Sequence, residues 1–204
     1  MIVPPGQTMK LVRRPLRGAH VTLEPMELER DAPALFAITP PGTFDWFLSK
    51  PPEWTLSAFS QWLIKLQSRP GAMGFVVRDA AGQVVGSSSY YDTDEAHFMT
   101  EIGATWYAAN ARGTVVNPEC KLLMLAHAFD CGAERVQLKC DGRNIISQRA
   151  IAKLGAVREG VLRRHRVNEP ERFLRDTVMF SILREEWPTV RAGLEARGAR
   201  MADR

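Results

Sequence analysis

The chain has 204 residues, 45% of them hydrophobic and 25% charged, with a formal net charge of +4. That length suits one well-buried domain rather than two. The composition is that of a globular protein, and no apolar run reaches the ~18 residues that a membrane-spanning helix needs. Cys120, Cys131 and Cys140 are odd in number and lack a Cys-x-x-Cys spacing. They read as buried small hydrophobes of a reduced, cytoplasmic protein, with no metal site expected.

Residues 1–17 are rich in Pro, Gly and Arg and read as a mobile lead-in. Residues 18–190 read as a single domain, and 191–204 as a helix end or tail. The alternation in 20–25 predicts a strand. Leu28, Ala32, Leu35 and Phe36 predict a helix over 27–38, with Pro33 early enough to be tolerated. A Pro- and Gly-broken stretch follows. Phe59, Trp62, Leu63 and Leu66 then share one face of a helix over 55–69. Residues 74–92 read as a hairpin and 97–108 as a third strand of the same meander.

The stretch 117–132 predicts a helix, with Asn117 as its N-cap, Pro118 in its first turn and Gly132 as its stop. Residues 135–140 alternate as a strand. Residues 144–155 predict a short helix with Ile146, Ala150, Ile151 and Leu154 inward. Two strands, 158–167 and 173–183, and a terminal helix complete the chain. A helical crossover between 98–107 and 135–140 implies that these two strands are parallel. The expected architecture is therefore α/β (α+β), a mixed and mostly antiparallel sheet of about seven strands with helices on both faces.

The segment "ARGTVV", 111–116, joins a strand to a helix start. First-turn N–H groups lack internal partners and carry the positive end of the helix dipole. A Gly beside them and an Arg with bidentate reach make a seat for a pyrophosphate. The simpler reading is a connecting loop with a solvent-facing Arg. Asn144 opens the next helix at the carboxyl edge of the neighbouring strand, where it acts as a cap or reaches a ligand in the crevice.

Taken together, "EIGATWYAANARGTVVNPECKLLMLAHAF", "RVQLKCDGRNIISQRAIAKLGAVREG" and "DTVMFSILREEWP" resemble the GNAT superfamily of acyl-CoA-dependent N-acyltransferases. The resemblance covers about 20–187 and is nearest to the branch of ribosomal-protein N-terminal acetyltransferases. It implies the GNAT fold, with two central parallel strands splayed apart and the pantetheine of acetyl-CoA between them. It further implies that backbone groups at Thr105, Trp106 and Tyr107 bond the pantetheine amides. Arg112, Gly113, Thr114, Val115, Val116 and Asn117 would hold the pyrophosphate, and Asn144 would contact the pantetheine. Two positions depart from the pattern. Val115 stands where Gly or Ala is usual, and Ile151 stands where many members carry a thiolate-protonating Tyr. Ser147 becomes the candidate for stabilising the thiolate.

Acyl transfer to nitrogen needs a neutral amine, and Glu101 on the splayed strand is the base candidate, acting through water; the alternative is an ion pair on a sheet face. The four histidines show no ligand spacing, which leaves no metal in the reading. His97 reads as a turn residue or an assisting base, and His127 as helix surface. The basic run 163–166, with Arg158, Arg172 and Arg175 nearby, attracts an acidic substrate or serves as a charged edge strand. Arg164 is its substrate-binding candidate. Trp46 and Phe47, in a loop, are expected to line the acceptor pocket, whereas Trp62 reads as core. No aromatic residues interleave with the basic run as in a single-strand nucleic-acid binder. The chain thus reads as an acetyl-CoA-dependent N-acetyltransferase acting on a protein N-terminus or a small-molecule amine, as monomer or homodimer, with no membrane partner. Left open are a succinyl-type donor and a non-catalytic acyl-CoA-binding module.

Overall fold

The computed structural model describes residues 6–202. Its elements are β1 (Leu16–Arg17), β2 (Val21–Pro25), α1 (Leu28–Ile38), α2 (Leu56–Gln67), β3 (Met73–Asp79), β4 (Val84–Asp94) and β5 (Met99–Tyr107), then, after a 3-10 turn at Ala109–Ala111, α3 (Val116–Asp130), β6 (Arg135–Asp141), α4 (Ile145–Ala152), β7 (Val157–Asn168), β8 (Phe173–Leu183) and α5 (Trp187–Ala202). One sheet of eight strands runs β1-β2-β3-β4-β5-β6-β8-β7. The two-residue β1 accounts for the strand beyond the seven expected. Among the described residues only β5 and β6 pair in parallel. The other pairs are antiparallel.

The parallel pair holds at three positions, Met99 to Arg135, Thr100 to Val136 and Glu101 to Gln137, and then the strands part. A bulge lies just beyond this point. Between Ser89 and Ser87 of β4 there is one residue, while between their partners Gly103 and Trp106 of β5 there are two. The extra residue is absorbed at Ala104, whose φ is +43°. A bulge bends its strand and re-aims the side chains beyond it. As a result Ile102 packs in one core and Trp106 in the core on the opposite face.

Alternation along the strands feeds both faces. Phe75, Val77, Tyr90 and Val136 meet Met124 and Phe129 of α3 on one side. Val76, Tyr91 and Trp106 meet Leu35 of α1 and Phe59 and Trp62 of α2 on the other. Phe44 anchors the second core, with ring centroids 4.4 Å from Trp62 and 5.2 Å from Trp106. Such aromatic pairs add ~0.5–1.5 kcal/mol each beyond the area they bury.

Four expectations are corrected. Asn117 does not cap α3. The helix starts at Val116, and the Thr114 hydroxyl accepts the Val116 N–H at 3.3 Å, which leaves Asn117 inside the first turn. Ile146 is 82% exposed rather than inward. It lies about 140° around the helix from Ile151, which faces the core with Leu154. His127 is buried, 3.2 Å from the Tyr90 hydroxyl and against the Val12 backbone, so burial pushes its pKa down. The cause is the chain before β1, which covers α3. The same covering corrects the mobile lead-in. Met9 is core, and Lys10 N–H donates to the Cys131 carbonyl at 3.0 Å. Residues 1–5 of that lead-in lie outside the described residues.

Gly132 sits at φ +95°, and a Cβ there would press into the Thr8 carbonyl. Gly132→Ala therefore combines a left-handed backbone with a backbone clash, and urea denaturation should show a loss of more than about 1 kcal/mol. An unchanged midpoint would mean that residues 8–10 do not hold this position in solution.

Candidate active site

The loop from β5 to α3 presents backbone donors to open space. Gly113 has φ +76°, and a Cβ on it would meet no atom within 4 Å. The N–H groups of Gly113, Thr114 and Val115 find no acceptor among the described residues. Thr114 turns its hydroxyl back to the Ala111 carbonyl at 2.7 Å. Arg112 is exposed and donates through Nε to the Tyr107 carbonyl at 3.0 Å, which leaves the rest of its fork free of side-chain partners. Val115 does not obstruct this seat. Its backbone is helical, at φ −62° and ψ −19°, and its side chain lies toward Gly198 of α5. Free donors at a helix start with a cation beside them fit a phosphate.

Thr105, Trp106 and Tyr107 follow on the stretch of β5 that β6 no longer pairs. Their side chains are engaged elsewhere. Trp106 Nε1 donates to Thr39 at 3.1 Å, while Tyr107 packs in the α3-side core, its hydroxyl without a partner among the described residues. Thr105 belongs to a group that sequence reasoning missed. Lys121 of α3 is 4% exposed, and its ammonium donates to Thr105 Oγ1 at 2.6 Å and Ser88 Oγ at 3.0 Å, with no carboxylate bound to it among the described residues. Burial pushes its pKa down to about 8. The signal was present. Lys121 lies on the same helical stripe as the buried Leu125 and Ala128.

On the α1/α2 face, beyond the reach of those helices, lies a polar field. Glu101 is 5% exposed and pairs with Lys139 of β6 at 2.6 Å. Burial raises the Glu101 pKa, against the pull of Lys139. Lys139 also reaches Asp92 at 3.1 Å. Asp141 holds Arg143, whose other arm bonds Glu171 at 2.9 Å. The Arg143 guanidinium lies between two rings, 5.2 Å from the centroid of Trp46 and 4.5 Å from that of Phe173. Trp46 is 42% exposed at this rim, whereas Phe47 packs edge-on to Phe44 at 5.0 Å. Arg164 is exposed on a bulge of β7, its N–H bonded to Asp176 at 2.7 Å.

Asn144 caps α4, its Oδ1 accepting the Ser147 N–H at 3.0 Å. Burial pushes the Cys140 thiol pKa up, and Ser147 nearby opposes that push. Ile151 is buried in the core. His97 lies in the turn before β5, tied to Asp94 at 2.9 Å and away from the parting strands.

A mixed sheet that opens between two parallel strands, with free backbone donors at the mouth of the following helix, fits a scaffold for acyl transfer. Residues 20–157 match the model of the acetyltransferase (GNAT) domain, and the chain belongs to that family of enzymes. A presumed acetyltransferase from T. thermophilus is 39% identical, with a TM-score of 0.85 over 93% of this chain and 99% of that one. A GCN5-related N-acetyltransferase from Brucella melitensis is 30% identical, with a TM-score of 0.84 over 93% and 87%. Mycobacterium smegmatis RimJ, solved with CoA-disulfide, shares the fold at 24% identity, with a TM-score of 0.74 over 94% of each chain. None of the curated proteins matches the chain. No described helix is long and apolar enough to cross a membrane, and the described residues contain no cluster able to hold a metal.

The depressed Lys121 pKa makes a signed prediction. Above about pH 8 the folded chain gives up this proton, while the unfolded chain keeps it to about pH 10.4, so the cost of burying Lys121 shrinks as pH rises through that window. Urea unfolding of Lys121→Met against the parent should therefore show a stability difference that favours Met by about 2 kcal/mol more near pH 7.5 than near pH 10. A difference independent of pH would mean that Lys121 is not desolvated in solution.

Proposed function

We propose that the chain is an acetyl-CoA-dependent N-acetyltransferase that moves the acetyl group directly to a primary amine. What supports this most is the juxtaposition at the fork of β5 and β6, where Glu101 closes the last paired position and the open strand leads to the anion seat. The thioester would lie along Thr105–Tyr107, with its phosphates at residues 112–117 and Asn144 on the far side of the opening. The amine nitrogen attacks the acyl carbon, a C–N bond forms and the C–S bond breaks. Glu101 takes the amine's proton through water, and Lys139 then remains paired with Asp92. The Ser147 hydroxyl would donate to the leaving sulfur. Trp46, Phe47 and Arg164 edge the acceptor entrance, and both a protein N-terminus and a small amine suit it. The chain would work in the cytoplasm.

Titration calorimetry should give acetyl-CoA binding at micromolar strength or tighter, and Gly113→Asp should weaken it at least tenfold by charge repulsion and a strained φ. Equal affinity in the variant would move the phosphates elsewhere. Glu101→Gln should lower kcat about tenfold or more, in the range ascribed to general bases, with little change in acetyl-CoA affinity. The buried Ile151, where a phenol would serve the thiolate, favours one rival, a binding module. Tight binding with no acetyl loss to any amine would establish it.

A further inference from the structure

Within the polar field, the cations are matched to carboxylates with one exception. Lys139 serves Glu101 and Asp92, and Arg143 serves Asp141 and Glu171. Arg175 of β8 is 4% exposed, yet its guanidinium makes a single long hydrogen bond, from Nη1 to the Trp46 carbonyl at 3.4 Å. Its Nε is hidden from solvent with no partner among the described residues. Two further buried atoms in the same condition lie with it. Thr177 Oγ1 is two residues along β8 on the same face, and His165 Nδ1 is on the neighbouring β7. The β7 bulge, where Arg164 takes φ +48° between the Leu162–Thr177 and Arg166–Arg175 pairs, brings His165 there. Register places this group beside the fork. Asp141 pairs with Thr177 across β6 and β8, and Arg175 is near enough to act on the charge of Glu101.

A buried guanidinium with unused donors is costly unless something binds it. Exposed arginines nearby carry no such cost. The missing partner must be an anion, because carboxylates in reach are already engaged. A carboxylate can use the Nε edge and a terminal nitrogen together, one planar fork on another. Thr177 adds a hydroxyl donor.

Building on the acyl-transfer reading, we propose that Arg175, Thr177 and His165 form a carboxylate receptor beside the reaction centre, so that one reactant is an acid. The amine acceptor is an amino-acid-like molecule bearing a carboxylate, or the thioester's acyl group ends in one.

The test compares matched pairs on the full chain. With acetyl-CoA as donor, alanine, phenylalanine and β-alanine are each set against their carboxamides. With one fixed amine, succinyl-CoA is set against acetyl-CoA. A 10- to 100-fold preference in kcat/KM for the free acids places the receptor on the acceptor, and the same preference for succinyl-CoA places it on the donor. Either preference should collapse toward one in Arg175→Gln, and fall in part in Thr177→Val if the first variant does not fold. Acids and amides used equally, with no preference between donors, would overturn the receptor while leaving acetyl transfer standing. If neither these amines nor a peptide N-terminus is acylated from either donor, the transfer reading fails instead. Calorimetry then decides the receptor separately. Binding of the acids or succinyl-CoA, but not the amides or acetyl-CoA, upholds it, and indifference removes it.

Discussion

The structure turns on the parting of β5 from β6. A parallel pair that separates after three residues forfeits ladder hydrogen bonds that would otherwise form on both strands. The bulge at Ala104 sets the bend, and Gly103 permits it at close quarters, since a Cβ there would lie 2.9 Å from the Glu101 carboxylate. Side chains hold the strands near the point of parting. On the α1/α2 face the Glu101–Lys139 ion pair ties the two strands just where their backbone pairing stops. On the α3 face Lys121 ties that helix to β4 and β5 through Ser88 and Thr105. Charges that are costly to bury thus tie together the elements around the fork.

This arrangement makes Glu101 serve two ends. As an ion-pair partner it stabilises the fork, and as a buried carboxylate it has its pKa lifted toward a base's working range. The two readings of Glu101 left open by sequence, an ion pair and a base, are therefore compatible. The pair lies at the point of parting rather than out on an ordinary sheet face. Lys139 keeps a carboxylate partner because it touches Asp92 as well.

Much of the fold was legible because its signals are local. Alternation predicted β2 and β6, the turn-flanked apolar runs predicted β3 and β4, and crossover length predicted the parallel pair. Errors arose where distant chain segments decide. His127 looked like surface because nothing local shows that the residues before β1 cover α3. Asn117 looked like a cap because the preference of Asn for that role is strong, yet the helix begins one residue earlier, with Val115 at the cap position and the Thr114 hydroxyl accepting the Val116 N–H. In the site, the loop at 111–116 and the Asn144 cap could be read from spacing alone. Lys139, Arg143 and the unmatched state of Arg175 could not, since each depends on which residues face one another across β6, β7 and β8.

Basic residues on β7 and β8 looked interchangeable in sequence, as a charged run along an edge. Burial separates them. Arg163, Arg164 and Arg166 stand in water, where their charge is screened and confers little selectivity. Arg175, nearly solvent-free and held under the Trp46 carbonyl, is in a low-dielectric site where a single fork of hydrogen bonds discriminates strongly. On the proposal that one reactant is an acid, its selection rests with the inner arginine, and the outer ones would act only at longer range.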